Sequence, residues 1–204
     1  MKYEKELLGF YLSDHPLYKY ERDLCELTHK KVTQKKYISA GGVISDVQYR
    51  YDKNGKKWAQ LSLDTLDINL QLYVFNDVFL KYEDIIKEDS LVYILGKDFN
   101  QNDSERVTRL IVNRMFLLTP QLKEHIVKHV NIQIDYINSD NILLDKIEKF
   151  SQNKPGKYST VLHLISSKGK IQKILSHNLK FSIDQDSLAS LRKLCGLNKV
   201  WLSL

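Results

Sequence analysis

Cysteine, proline and long apolar runs are all scarce in this chain of 204 residues, and each scarcity excludes something. Its two cysteines, Cys25 and Cys195, stand near opposite ends. They give neither a disulfide framework nor a metal-ligand pair, and they fit a reducing compartment. Three prolines leave no material for a long stiff linker. No stretch of ~20 apolar residues is available to span a bilayer. The opening MKYEKELLGFYLSDHPL has no uninterrupted apolar core with a cleavage site, so no signal peptide is expected and the cytoplasm is the expected location.

Catalytic signatures are missing too. There is no glycine-rich phosphate loop, no GxSxG elbow and no cysteine beside a plausible histidine base. The carboxylates are scattered rather than clustered as a catalytic Mg²⁺ requires. His125 and His129 would share a helix face, but no third ligand at zinc spacing accompanies them, so they read as surface residues on a connector. The expectation is a chain with no catalytic residue, no metal and no cofactor.

What is present is an ordinary globular composition, 43% hydrophobic and 27% charged, of a length that suits one or two domains. The net charge of +6 is unevenly placed. Residues 1–34 carry six basic and six acidic side chains, and residues 35–118 carry twelve of each. Residues 119–204 carry thirteen basic and seven acidic, so the whole excess lies there.

The periodicities divide the chain at the same points. Residues 2–12 read as an amphipathic helix, interrupted by Ser13–Pro16. A second short helix is expected over Tyr18–Leu27, then a polar connector, His29–Lys36. The region 35–118 reads as strands. The first, 37–51, contains Gly41-Gly42, a pair that in a strand marks a bulge or bend. Asn54-Gly55 is a strong hairpin signal. Strand 57–64 alternates Ala59, Leu61 and Leu63 with Trp58, Gln60 and Ser62, and strand 69–75 alternates Leu70, Leu72 and Val74 with Gln71, Tyr73 and Phe75. An amphipathic helix follows, with Asn76 as its cap and Phe79, Tyr82, Ile85 and Ile86 on its apolar face. Strands at 91–97 and 106–118 complete the set. Three strands, a helix and two strands in about 80 residues is the order of a five-stranded OB-fold β-barrel.

After a connector at 119–128, residues 129–204 read as a small α+β domain of order β-α-β-β-β-α-β. Its strands are placed at 130–136, 158–165, 170–176, 179–183 and 200–202. Its helices are placed at 141–150 and 185–195, the second capped by Asp184, lined by Leu188, Leu191 and Leu194, and closed by Gly196.

The hairpin at Asn54-Gly55 is the best functional candidate. Arg50, Lys53, Lys56 and Lys57 crowd its tip, and Tyr49, Tyr51, Trp58, Tyr73 and Phe75 lie near. Single-stranded nucleic acid asks for this combination of cations for phosphate and ring faces for bases. Trp58 and Tyr73 point outward from adjacent strands and can form one platform. The plainer reading is a solvated tip, with Phe75 packed under the helix. Asp98, Asp103 and Glu105 make a later loop acidic, which argues against the barrel enclosing a strand from both sides. In the last domain Lys146, Lys149, Lys154, Lys157, Lys168, Lys170, Lys173 and Lys180 face only Glu148 across 146–180. A phosphate-contacting surface and a dock for an acidic protein both fit these lysines, and on composition alone a solvated face is the favoured reading. The apolar end, Lys199 to Leu204, is structural if Trp201 is buried and a partner contact if it is exposed.

The stretch EKELLGFYLSDHPL at 4–17 resembles a segment of the alpha subunit of bacterial DNA polymerase III, where a helix ending GFYLSGHPL precedes an OB domain. Asp14 stands where that family usually has glycine. The resemblance continues through AGGVISDVQYRYDKNGKKWAQLSLDT at 40–65 and LQLYVFNDVFLKYEDII at 70–86, and the last domain is similar in length and element order. It implies that residues 1–34 close an upstream domain, that 35–118 is the OB domain and that 129–204 is the C-terminal domain. It also implies that the polymerase palm, with its metal-binding aspartates, lies outside this sequence. The chain would then be noncatalytic, and its parent a DNA-directed DNA polymerase.

By the same resemblance the OB domain meets single-stranded template through Tyr49, Arg50, Tyr51, Lys53, Lys56, Lys57, Trp58 and Tyr73. The last domain, including Trp201, Leu202 and Leu204, meets the tau subunit of the clamp loader within the polymerase holoenzyme. No membrane contact is implied. The alternative is a pure protein-docking adaptor that does not bind DNA.

Overall fold

Alternation in two short strands sets the architecture of the first half. Ala59, Leu61 and Leu63 on one strand, and Leu70, Leu72 and Val74 on the next, all turn inward and are buried, while their neighbours in sequence turn out. The structure, a computed structural model, describes residues 15–28, 38–99, 109–135, 141–166 and 168–204. The helix expected over 2–12, most of the 4–17 stretch, the 29–36 connector and the acidic positions Asp103 and Glu105 lie outside those residues.

Five strands close into a barrel: β1 (Ile38–Tyr51), β2 (Lys57–Asp64), β3 (Asn69–Val74), β4 (Leu91–Asp98) and β5 (Arg109–Leu117), in the order β1-β2-β3-β5-β4. β1 serves both sides, pairing with β4 through Ile38–Val43 and with β2 through Val43–Tyr51. All neighbours are antiparallel except β3 and β5. This is the OB topology. Between β3 and β4, α2 (Asn76–Tyr82) inserts the fully buried Phe79 into the barrel core beside Ile44, Val74 and Ile86. Its N-cap is Phe75 rather than Asn76, which takes a left-handed φ of 39° that asparagine tolerates.

The glycine pair has a different role from the bulge expected of it. The β1–β4 register runs unbroken through Gly41 and Gly42, and the β1–β2 register shifts instead between Ile44 and Asp46. A Cβ at 41 would stand 2.3 Å from Leu24 Cδ2, and one at 42 would stand 2.5 Å from Leu63 Cγ. The pair therefore lets other elements approach β1 closely. One of them is α1 (Glu21–Thr28), which follows a 3₁₀ turn at Tyr18–Tyr20, buries Leu24 and Leu27, and is part of the barrel's compact unit. Tyr93 donates its hydroxyl to the Leu27 carbonyl, and burial pushes that phenol up to about 12.

The second compact unit takes up residues 123–204. A short helix, α3 (Leu122–Ile126), occupies much of the stretch expected to be a connector. The sheet has the order β8-β7-β6-β9, from β6 (His129–Asp135), β7 (Tyr158–Ile165), β8 (Ile171–Phe181) and β9 (Val200–Ser203). β6 and β7 are parallel, joined through α4 (Asn141–Asn153), and the other pairs are antiparallel. The two strands expected at 170–176 and 179–183 are one. The register shift opposite Ser159/Thr160 leaves residues 177–179 as a bulge within β8. Two serines hold that bulge. Ser176 Oγ accepts from the Leu179 N–H at 3.2 Å, and Ser151 Oγ both accepts from the Lys180 N–H and donates to its carbonyl.

The helix α5 (Gln185–Cys195) buries Leu188, Leu191 and Cys195, with Leu194 only half-buried, and Gly196 follows it at a φ of 111°. Asp184 caps it, accepting from the Ser187 N–H at 2.8 Å. Hydrogen bonds from Ser182 and Ser187 hold the Asp184 carboxyl at about 2, below its ordinary 3.8. Asp184→Ala should lower the stability of this unit by about 1 kcal/mol at neutral pH. Because the folded-state value is depressed, that contribution is complete above the unfolded value near 4 and disappears as pH falls through 2. Urea midpoints of variant and wild type should therefore converge between pH 4 and pH 2. A constant gap across that range would contradict the charged cap.

Trp201 is 2% exposed and Leu202 4%, both in the core of the second unit, while Leu204 is half-buried. By the criterion set above, Trp201 is structural. The expectation that Trp201 and Leu202 present a partner surface is corrected by their burial: they point to opposite faces of β9, which pairs with β6, and both are covered. The Trp201 ring lies 4.7 Å from the buried His163, whose Nε2 is hydrogen-bonded to Asn131 Oδ1 at 2.9 Å.

Candidate nucleic-acid interface

The hairpin that joins β1 to β2 is built by Asp52. Its Oδ1 accepts from the N–H groups of Asn54 and Lys56, each at 2.8 Å, and its backbone accepts from Gly55, which turns at φ +74°. This leaves Lys53 and Lys56 exposed at the tip. Below the tip, the period of two in each strand divides the residues read together from sequence onto two faces.

The inward-parity residues face α2. Tyr49 donates its hydroxyl to the Ile86 carbonyl at 3.2 Å and meets Phe79 edge-on at 6.1 Å. Lys57 reaches Glu83 at 3.0 Å and lies 4.3 Å from the Tyr49 ring. The bond to Glu83 raises the Lys57 ammonium above its ordinary value. Tyr51 pairs with Lys57 across the strands and is 69% exposed.

The outward face carries the rings. Trp58 pairs with Arg50 on β1, whose guanidinium lies 6.0 Å from the indole. Phe75, at the end of β3, sits 5.1 Å from Trp58 and 6.1 Å from Tyr73, the latter pair only 16° from parallel. Phe99, just past β4, stacks on Tyr73 at 4.9 Å and is 44% exposed. Four aromatic rings thus run side by side across the outside of the barrel, with Gln60 and Gln71 beside them and Arg50 and the exposed Arg109 at the margins. Such a row offers ring faces for bases and flanking cations for phosphates.

Of the residues singled out from sequence, the structure brings Trp58, Tyr73 and Arg50 together and places Lys53 and Lys56 at the nearby tip. It places Tyr49 and Lys57 against α2 on the opposite side of the strand. The parity of Ala59 already assigned Lys57 to that side. Phe75 joins the platform rather than the underside of the helix. Phe99 and Arg109 were not foreseen. They arrive beside Tyr73 because the Phe99 N–H donates to the Arg109 carbonyl and β5 pairs with β3, neither of which has a local signal. No group of three or more His, Cys, Asp or Glu among the described residues is arranged to hold a metal ion. No helix of the described residues is long and apolar enough to cross a membrane.

The two cations allow a prediction. Lys56→Gln should reduce the slope of log K against log salt for a single-stranded oligonucleotide by ~0.7, one phosphate's worth. Lys57→Gln should leave that slope unchanged, since its ammonium is held by Glu83. Equal slope changes would show that Lys57 leaves Glu83 for DNA.

No protein-family model matches the chain. Curated relatives do. The DNA polymerase III subunit alpha of Borreliella burgdorferi is 26% identical over 98% of this chain, and that of Halalkalibacterium halodurans 28% identical over 100%. The subunit from Saccharopolyspora erythraea is 30% identical over 48%. The full-length matches take up 18% of each relative, so the chain spans less than a fifth of their length. Among solved structures, the mitochondrial single-stranded DNA binding protein Rim1 of S. cerevisiae is 16% identical over 42% of this chain and 96% of its own, with a TM-score of 0.34. A Plasmodium falciparum SSB crystallised with ssDNA is 14% identical over 41% of this chain and 95% of its own, with a TM-score of 0.32.

Proposed function

We propose that this chain, whose homologues along its whole length are DNA polymerase III alpha subunits, is a noncatalytic C-terminal part of such a subunit that handles single-stranded template. The polymerase chemistry belongs to the remaining four-fifths of the parent, a DNA-directed DNA polymerase of the cytoplasm. The observation that carries the DNA role is the row Trp58–Phe75–Tyr73–Phe99 on an OB barrel, flanked by Arg50 and the basic hairpin tip. The barrel region carries as many acidic as basic side chains, so its hold on phosphate is local and salt-sensitive. A weak, sequence-tolerant grip suits a strand that must slide as synthesis proceeds. The second unit, which carries the chain's entire charge excess, docks the clamp-loader tau subunit within the holoenzyme.

The test is anisotropy of labelled oligo-dT with the 204-residue chain. Binding should be measurable at low salt, fall steeply at moderate salt, and fall further when Lys53 and Lys56 are both replaced by glutamate. Absence of binding at low salt would remove the DNA role and leave a protein-docking adaptor, which capture of tau by the same chain would then identify.

A further inference from the structure

β8 is the outer strand of the second sheet. It pairs with β7 on one side, and no described strand pairs with its other side. At 11 residues it is long for an edge, and edges of that length are usually guarded because their open N–H and C=O groups template another strand. The register shows which groups are open. Ser166 donates its N–H to the Lys170 carbonyl at 2.9 Å, which makes 166 and 170 a hydrogen-bonded pair. Antiparallel alternation then gives Gln172, Ile174 and Ser176 to β7, and turns the N–H and C=O groups of Ile171, Lys173 and Leu175 away from the sheet. Ile171 is 50% exposed and Leu175 45%, on one face of the strand, and Ile174 is 39% exposed on the other.

Charge restricts what can settle there. No aspartate or glutamate occurs between Glu148 and Asp184, while Lys168, Lys170, Lys173 and Lys180 lie on or beside β8. A second copy paired edge to edge would bring these lysines together, which disfavours self-association. Nucleic acid would be drawn to the lysines but has no use for two aliphatic side chains or a row of open peptide groups, and no tryptophan, tyrosine or phenylalanine lies between Tyr158 and Phe181 to stack a base, which leaves the single exposed imidazole of His177.

We propose that the outer edge of β8 receives an extended acidic segment of a partner protein as an added strand. The open peptide groups of Ile171, Lys173 and Leu175 supply the ladder. Ile171, Lys173 and Leu175 share one face of the strand, so on that face the segment presents an apolar residue, a carboxylate and an apolar residue in turn, and a carboxylate on its other face meets Lys170. The inference rests on the protein-docking role of the second unit and gives it a place.

The probe is a labelled octapeptide of sequence EVEEEVEE, in which valine and glutamate alternate along one face and glutamate fills the other, titrated with the 204-residue chain. Saturable binding is expected. Lys173→Pro should weaken it by at least about tenfold at unchanged Tm, because an edge proline whose N–H position faces outward removes no bond to β7. The double variant Lys170→Glu/Lys173→Glu should lose the glutamate peptide and gain the matching lysine–valine peptide. No saturable binding, equal binding by Lys173→Pro, or equal displacement by oligo-dT each overturns the proposal. The underlying docking role is read separately. If wild type fails to capture tau, that role falls. If capture survives Lys173→Pro, only the place on β8 falls.

Discussion

Trp58→Ala weakens oligo-dT binding by about tenfold or more, the largest single loss expected on the barrel. A base stacked on an aromatic ring contributes ~1–3 kcal/mol, equivalent to roughly five- to 150-fold in affinity. Trp58 is the largest ring and ends the row beside the cations: it lies 5.1 Å from Phe75 and 6.4 Å from Tyr73, and Arg50 lies over it. Its removal takes one ring from the row and lets its neighbours move into the gap. Trp58→Phe, which keeps a ring face, should retain most of the affinity, while Lys56→Gln should act mainly through salt dependence. Titration at one fixed low salt, with Tm as a control for folding, separates these effects. Unchanged affinity in Trp58→Ala would mean that bases do not stack on this face.

Gly156→Ala should destabilise the second unit by about 3 kcal/mol, at the upper end of what overpacking costs. A Cβ there would stand 1.9 Å from the Phe181 carbonyl carbon, 2.0 Å from the Ser182 nitrogen and 2.2 Å from the Phe181 oxygen. All three are backbone atoms, so no rotamer change relieves the contact. The loop between α4 and β7 would have to part from the end of β8, and Phe181, 1% exposed and 5.9 Å from Phe150, would be displaced with it. Gly169 makes the control. A Cβ there meets nothing within 4 Å, and its φ of +71° costs an L-residue only ~1–2 kcal/mol. Urea unfolding of the two variants should rank Gly156→Ala well below Gly169→Ala, and the reverse ranking would contradict the close approach.

Much of the barrel was legible because its information is local. Strict alternation marked β2 and β3, and the residues assigned inward are the ones buried. Asn54-Gly55 marked the hairpin, which the structure places at that position. Asp184 and Gly196 marked the ends of α5. Failures occurred where the decisive neighbour is distant in sequence. Gly41-Gly42 read as a bulge because a strand glycine signals either a bulge or a close approach, and only the position of Leu24 and Leu63 decides between them. β8 read as two strands because His177 and Asn178 break its pattern, whereas its own Ser176 and Ser151 on α4 hold it together. Trp201 carried no burial signal of its own in so short a strand. At the candidate site, composition pointed to the hairpin but could not sort its two faces. Counting parity from Ala59 would have moved Lys57 and Tyr49 toward α2, whereas Phe99 is brought to Tyr73 only by barrel closure.

That closure has a consequence for how a strand is held and let go. The parallel β3–β5 seam has just three aligned pairs among the described residues, Gln71–Arg109, Leu72–Leu110 and Tyr73–Ile111, the shortest ladder in the barrel. Local opening should start there, since fewest bonds must break. Tyr73 stands on one bank of this seam, and Phe99, bonded to Arg109, on the other. A base stacked over both rings would stitch the banks together, so bound oligonucleotide should slow amide hydrogen exchange at Leu72 and Leu110 and raise the melting temperature with the logarithm of its concentration above the dissociation constant. By the same reciprocity, a transient breach of the seam would separate the two rings and would release a nucleotide bound across them without any competitor for its phosphates.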